Sequence, residues 1–373
     1  MRALGIIIVA LAAAVLVASW LQRAGSTGED GFTFLPVREL HVTGAGNTLT
    51  AVARQVNNPN LFSYDPATRI AVAHATLIVE GELLIGRPDT AGPKEVLELA
   101  TEVCGDLRIE VRSSGTLQIH RGAIRTVSQV LSTAACSRGF ALFVDGKLDM
   151  DHGSISYMSG STSQCLRGKA RATIRDSSFS YCDGSALSCV NVDGQRVAIE
   201  RSEILSSGNW GLVVQGCGGA PLEVRDSVLE AQLGAVFMTG QSPAARLVDC
   251  TFDPAKILFN GPDGGVEVAW TRRFRVVGAR DNQPKPGLCV QARGTAGPSP
   301  AGTIETRTGA DGVAELTLIE STVRPGIKED STARSTPRAY RLAVIGDDAG
   351  ELATMANYVP RGKDREPVTI TVP

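Results

Sequence analysis

Between residues 117 and 252 the chain repeats one arrangement of positions, apolar–x–apolar–x–x–small–x–apolar. The first apolar position falls at Leu117, Leu148, Ala172, Val197, Leu222 and Ala245, at intervals of 31, 24, 25, 25 and 23 residues. Alternation of this kind marks half-buried strands. Repeated at such a period, it predicts a coil in which each turn buries its inward side chains against the turns above and below. Three columns should line a continuous interior: the anchors, the positions two residues on (Ile119, Met150, Ile174, Ile199, Val224, Leu247) and the positions seven on (Ile124, Ile155, Phe179, Ile204, Leu229, Phe252). Five residues after each anchor stand Gly122, Gly153, Ser177, Ser202, Ser227 and Cys250, small enough for a tight corner beneath the next turn. A further strand is expected at residues 140–144, 186–190, 211–214 and 235–238, followed by turns such as Asp145-Gly146 and Asp193-Gly194. Each coil thus accommodates three short strands.

Upstream, residues 76–86 and 107–111 read as strands of the first coils, with a loop at 87–93. Asn47 is placed as the cap of a helix over residues 48–56, with Leu49, Val52, Ala53 and Val56 on one face. A stack of coils ends in open strand edges that invite pairing with other chains. An amphipathic helix laid over the first coil would block that.

The 373 residues include 39 Asp+Glu against 37 Lys+Arg and are 43% hydrophobic, enough for a sizeable core and two folded units. A near-neutral chain without a basic stripe argues against a nucleic-acid partner. Met1 and Arg2 precede a stretch without charge until Arg23, and a polar segment follows over 25–31. Two fates fit: an export signal cleaved near Val17-Ala18-Ser19, or a retained membrane anchor, which needs roughly 17–25 apolar residues. Residues 1–24 are then the signal or anchor and 25–45 a linker. Either fate puts residues 25–373 outside the cytoplasm, in the periplasm, on the cell surface or membrane-anchored, touching the membrane only through the N-terminal segment. Eight cysteines (Cys104, Cys136, Cys165, Cys182, Cys189, Cys217, Cys250, Cys289) suit an oxidising compartment, and none is spaced CxxC. Cys165 and Cys189 occupy nearly equivalent positions and would face each other across adjacent coils; the alternative is that several cysteines are buried thiols filling the core.

With this period and these columns, the stretch from about residue 60 to 268 resembles the right-handed parallel β-helix proteins of the pectate-lyase-like class. The resemblance implies an all-β chain whose residues 46–268 form a right-handed parallel β-helix, a solenoid of one chain with an N-terminal capping helix. The general handedness of parallel connections points the same way. After Trp270 the repeat stops. Phe274-Arg275-Val276-Val277, Pro284, Pro286-Gly287, Val290 and the run over 308–316 are similar to the carboxypeptidase regulatory-like domain, a small transthyretin-type β-sandwich. That resemblance implies an accessory β-sandwich over residues 269–373, closed by Val368–Val372. The chain departs from the family at Ala279 and Gly309, where aspartate is usual, and at Asn282, where glycine is usual. Asn tolerates the left-handed conformation, so the last change is mild.

Enzymes of the β-helix class carry their sites on an outward strand face or in the cleft made by loops beside it. Here one such face holds the positions one and three residues after each anchor: Gln118 and His120, Asp149 and Asp151, Thr173 and Arg175, Ala198 and Glu200, Glu223 and Arg225, then Arg246. Stacked about 4.8 Å apart, Asp151, Arg175, Glu200 and Arg225 would form an acid–base ladder, and Asp176, Arg201 and Asp226 a second. One reading makes Asp149, Asp151 and Arg175 catalytic, the carboxylates holding Ca2+ and the arginine an acidic sugar, as the resemblance implies. The other is a solvated face of cross-strand ion pairs worth about 0.2–1 kcal/mol each. The doubled ladder favours the second, because carboxylates neutralised by arginines make poor ligands for a cation that takes six to eight oxygens. Asp226 over Asp249 is a further candidate, two like charges able to share a proton or cation. A carbohydrate-binding role falls to Trp210 and Asn209, with Asp183 at the matching place one coil earlier. No HExxH, G-x-S-x-G or P-loop occurs, and no metal site or cofactor other than Ca2+ is suggested.

The expectation is therefore an exported, monomeric, cell-envelope β-helix protein with a structural, adhesive or polysaccharide-binding role, its partner a polysaccharide or other cell-surface component. The alternative is a polysaccharide lyase or glycoside hydrolase acting on an acidic polysaccharide, a reading that rests on fold analogy.

Overall fold

Successive repeats lie directly over one another. Leu148 pairs with Leu117 on one side and Ala172 on the other, and Ile174, Ile199 and Val224 follow in strict register. All are buried, so the columns form one interior file, and the chain is a parallel β-helix. The computed structural model describes residues 38–373 apart from 88–93, 101–106, 128–138, 159–163, 207, 217–218, 241–243, 296–301, 327–332 and 363–365. The N-terminal segment, most of the 25–45 linker and of the 87–93 loop, and Cys104, Cys136 and Cys217 lie outside the described residues. No described helix is long and apolar enough to cross a membrane.

Among the described residues the strands make sheets of nine, twelve, eight and four strands. Each coil gives one strand to each of the first three. Ala141–Val144 joins the nine-stranded sheet, Lys147–Asp151 the twelve-stranded and Ser154–Ser156 the eight-stranded, before Gln164–Arg167 begins the next coil. These are called the first, second and third sheets below.

The corners explain the spacing. Between the first and second sheets the coils touch backbone to backbone: a Cβ on Gly146 would lie 2.2 Å from the Arg112 carbonyl oxygen and 2.3 Å from that of Gly115. Between the second and third sheets the chain turns at Arg121, His152, Asp176, Arg201, Asp226 and Asp249, one per coil, all left-handed with φ between 46° and 54°. Side chains normally avoid that region. Here each corner N–H donates to a carbonyl of the next coil, as from Asp176 to Glu200 (3.2 Å) and from Arg201 to Arg225 (3.0 Å), which holds the conformation in place.

The small column just after this corner does more than fit. Ser202 Oγ accepts from the Ser177 N–H (3.2 Å) and donates to its own Glu200 carbonyl (2.8 Å). Ser177 does the same below, and Ser227 above. A buried serine ladder thus runs along the axis and ends at Cys250, whose thiol donates to Val248 and Val224 (both 3.3 Å). Burial pushes that thiol up to about 12. Ser202→Ala would strand a buried N–H, and an unmet donor costs about 1–3 kcal/mol. Urea titration of the variant should show a loss in this range; a change below about 0.5 kcal/mol, the ordinary scatter of surface substitutions, would remove the ladder from the list of stabilising features.

Helix Leu49–Val56 lies at the start of the stack, with Leu49 and Val52 buried in the solenoid core. Its cap is Thr48, whose side chain accepts from the Ala51 N–H (3.3 Å), and this corrects the placement on Asn47. Asn47 is instead buried in the short strand Asn47–Thr48, its amide donating to the carbonyls of Thr43, Gly44 and Glu82. The equivalence of Cys165 and Cys189 is also corrected. The register pairs Cys165 with Ser188 and Leu166 with Cys189, so the two cysteines stand one residue out of step along their strands.

At the other end, strand Gly265–Gly278 pairs in parallel with Ala244–Val248 as the last rung of the solenoid's part of the second sheet, then continues past it. Most of its length pairs antiparallel with Val313–Arg324, and its final residues pair in parallel with Val368–Val372. A second core gathers Phe274, Val276, Leu316 and Ile370 from this side with Val290, Tyr340, Leu342 and Val344 from the four-stranded sheet. Tyr340 ties the two sides together, its hydroxyl accepting from the Ile319 N–H (3.0 Å) and donating to the Ile319 carbonyl (3.2 Å). Asn282 adopts φ 51°, a left-handed conformation that asparagine tolerates.

Candidate functional site

On the outward face of the second sheet, Thr173, Ala198, Glu223, Arg246 and Glu267 stand in one column, with Arg175, Glu200 and Arg225 in the next. Ala198 is the shortest side chain in either column. Above it the turns from the first to the second sheet lengthen in two consecutive coils. Asp193 caps the 3-10 turn Gly194–Arg196 by accepting from the Gln195 N–H (3.1 Å). The turn of the following coil packs against it so closely that a Cβ on Gly194 would lie 2.3 Å from the Ala220 carbonyl oxygen. The missing side chain and the paired turns together form a groove of about 310 Å3, floored by Ala198 and walled by Gln195, Ala220 and Pro221. That volume lies at the lower end of the range for ligand clefts.

Charge on the groove is balanced. Glu200 faces Arg175 (3.3 Å) and Arg201 (3.6 Å); Glu223 accepts from Arg225 Nε (2.6 Å) and lies 3.8 Å from Arg246. Arg246 is held by Glu267 (2.7 Å), which also meets the buried Arg338 (3.5 Å), so the chain of charges passes into the C-terminal part. The expected first ladder is thus in register but pairs differently: Arg225 turns along its own strand to Glu223. Neither groove carboxylate is idle, and no histidine, serine or cysteine lines the groove. Each guanidinium has five N–H donors, more than these pairs use, and the remainder suit hydroxyl and carboxylate oxygens.

Asp149 and Asp151 lie on this face two coils before the groove and Arg175 one coil before it, and their charges are engaged separately. Asp149 meets Lys147 (3.2 Å), Asp151 meets His152 (3.0 Å) and Arg175 meets Glu200. Asp151, His152 and Asp176 place one donor atom each within 4.8 Å of one another, the one such group among the described residues. However, Arg201 grips both Asp176 oxygens (2.9 and 2.8 Å). This bidentate bond, helped by the nearby charges of His152 and Arg175, holds the Asp176 carboxyl below the usual range. Too few oxygens remain for a hard cation. Asp249 accepts from the Thr271 N–H (2.9 Å), which commits one partner of the Asp226–Asp249 pair to the last rung.

Trp210 lies at the start of a first-sheet strand, paired in register with Ser185 and Gly234. Its ring stacks on Phe237 at 4.3 Å between centroids and covers Gly234. Asn209 is exposed, its carbonyl accepting from the Leu233 and Gly234 N–H groups. Asp183 is half-buried one coil earlier. The groove escaped sequence reasoning, although its two signals were present: a lone alanine among charged outward positions, and two long turns in succession.

No protein-family model matches the chain, and no curated protein does. Among solved structures it is similar to a periplasmic alginate epimerase double mutant, with 12% identity, 61% of this chain and 63% of that one covered, and a TM-score of 0.35. The chain thus spans less than two thirds of the epimerase. It is also similar to a tailspike protein of Acinetobacter baumannii bacteriophage Fri1, a capsular polysaccharide depolymerase, with 8% identity, 86% and 83% covered, and a TM-score of 0.26.

Proposed function

We propose that this chain is an exported polysaccharide-binding protein of the cell envelope, which holds a glycan strand in the groove over Ala198. The observation that carries this reading is a cleft of about 310 Å3 lined by Glu200, Glu223, Arg225 and Arg246, each engaged in an ion pair: Glu223 with Arg225 and Arg246 inside the groove, Glu200 with Arg175 and Arg201, and Arg246 also with Glu267, beyond it. Paired heads present donors and acceptors side by side, which suits the hydroxyl-rich edge of a sugar chain. Both groove carboxylates are held in ion pairs, which suits a binding role better than that of a general acid. The region after Trp270 is read as an accessory β-sandwich that covers the open edge of the second sheet, and the N-terminal segment as the export signal or anchor.

Retention on immobilised alginate and pectate tests the proposal. The wild-type protein should be retarded on at least one of the two, and Ala198→Trp, which fills the groove, should weaken retention about tenfold or more. Equal retention of variant and wild type would remove the groove from the account. Release of unsaturated uronides, followed by ultraviolet absorbance, would replace binding with lyase activity.

A further inference from the structure

The third sheet presents a different surface. Its outward positions in two consecutive coils are Ser154 and Ser156, then Ser178 and Ser180, aligned in register, with Ile155 and Phe179 between them facing the core. At the end of these strands Tyr157 and Tyr181 stack, ring centroids 5.0 Å apart and planes 7° from parallel. Both have left-handed backbones, φ 61° and 53°. The strand Ser178–Cys182 carries an irregularity at this point: Phe179 pairs with Ile204, but Cys182 pairs with Ser206, so three steps on one strand match two on the next. Bulges of this kind leave one residue without an opposite number and redirect its side chain. Here Ser180 and Tyr181 together face the single Leu205, and Tyr181 is the one with the left-handed backbone. One face of its ring is covered by Tyr157, yet it remains 56% exposed, the most exposed large apolar side chain among the described residues.

We propose that Tyr181, backed by Tyr157 and flanked by the four serines, is a second glycan subsite, one that takes a neutral pyranose chain. It extends the glycan-binding reading to another face. A flat ring fixed by stacking offers a preorganised platform for the C–H face of a sugar, with little side-chain freedom left to lose on binding. The hydroxyls of Ser154, Ser156, Ser178 and Ser180 repeat at the coil spacing of about 4.8 Å and can exchange hydrogen bonds with sugar hydroxyls. No guanidinium or ammonium group belongs to this set, which separates it from the ionic groove and disfavours acidic glycans.

The test is titration calorimetry of the full chain with cellohexaose and chitohexaose, both uncharged. Wild type should bind at least one, Tyr181→Phe should bind comparably because the hydroxyl is not needed for stacking, and Tyr181→Ala should bind about tenfold or more weakly. A thermal melt of each variant reports folding, and Tyr181→Phe keeps the ring should Tyr181→Ala fail to fold. No binding of either hexasaccharide by wild type, or equal binding by wild type and Tyr181→Ala, would overturn the proposal. Failure of the groove reading shows separately, as alginate and pectate retention that Ala198→Trp does not alter.

Discussion

Ile199→Ala is expected to lower the stability of the fold by about 2–5 kcal/mol, the usual cost of truncating a buried isoleucine. Ile199 is 1% exposed and lies between Ile174 and Val224 in the interior file. Neighbours in a solenoid are fixed by backbone ladders on both sides, so the cavity has little scope to collapse, and the upper part of that range is the expectation. The neighbouring residue supplies the control. Ala198 points the other way, and Ala198→Ser should change stability by less than about 0.5 kcal/mol. Chemical denaturation of both variants decides the matter: similar losses from the two would mean that the alternation of inward and outward residues has been misassigned.

The second large effect is expected at a corner. Gly146→Ala would place a methyl group 2.2 Å from the Arg112 carbonyl oxygen and 2.3 Å from that of Gly115. Neither obstacle is the tip of a flexible side chain; both are backbone atoms of the preceding coil. The strands on either side must separate or the corner must unwind, and a loss of at least about 3 kcal/mol is expected from overpacking against rigid neighbours. Gly168→Ala supplies the contrast. A Cβ there meets nothing within 4 Å, and only its left-handed φ of 55° opposes the change, so about 1 kcal/mol is expected. Denaturation midpoints that fall equally for the two variants would show that backbone contact at the corner is not what sets the coil spacing.

Much of this architecture was legible because the solenoid converts sequence period directly into spatial contact. Leu148 over Leu117, and Ile199 over Ile174, follow from spacing alone once strands are recognised. The corner residues were not legible in the same way. Left-handed turns are usually announced by glycine, whereas Arg121, His152 and Arg201 conceal them. The serines were recognised as small, but their hydrogen bonds depend on which N–H meets which hydroxyl across coils, and that information is not local. Asn47 was a reasonable cap by residue type, yet Thr48 next to it satisfies the helix while Asn47 closes three carbonyls of the first coil.

The outward chemistry was legible only in part. Alternation identified which residues share a face, and Arg175, Glu200 and Arg225 do share one. It did not determine pairing, because long side chains choose between partners along and across strands. Arg225 prefers Glu223 on its own strand, and Asp151 meets His152 at the adjacent corner. The groove needs an absence, the short Ala198 side chain, beside two turns that happen to pack together. The Tyr181 platform needs a register slip, and no single-strand pattern reveals one.

Strand Gly265–Gly278 serves both cores without a linker between them. Anyone wishing to graft a different C-terminal module onto this solenoid has no hinge at which to cut. The splice must fall inside a hydrogen-bonded strand and preserve its phase across the irregularity at Val268 and Ala269. Inserting or removing one residue there would turn every downstream inward side chain to the outside, so the two halves are best exchanged together or left as they are.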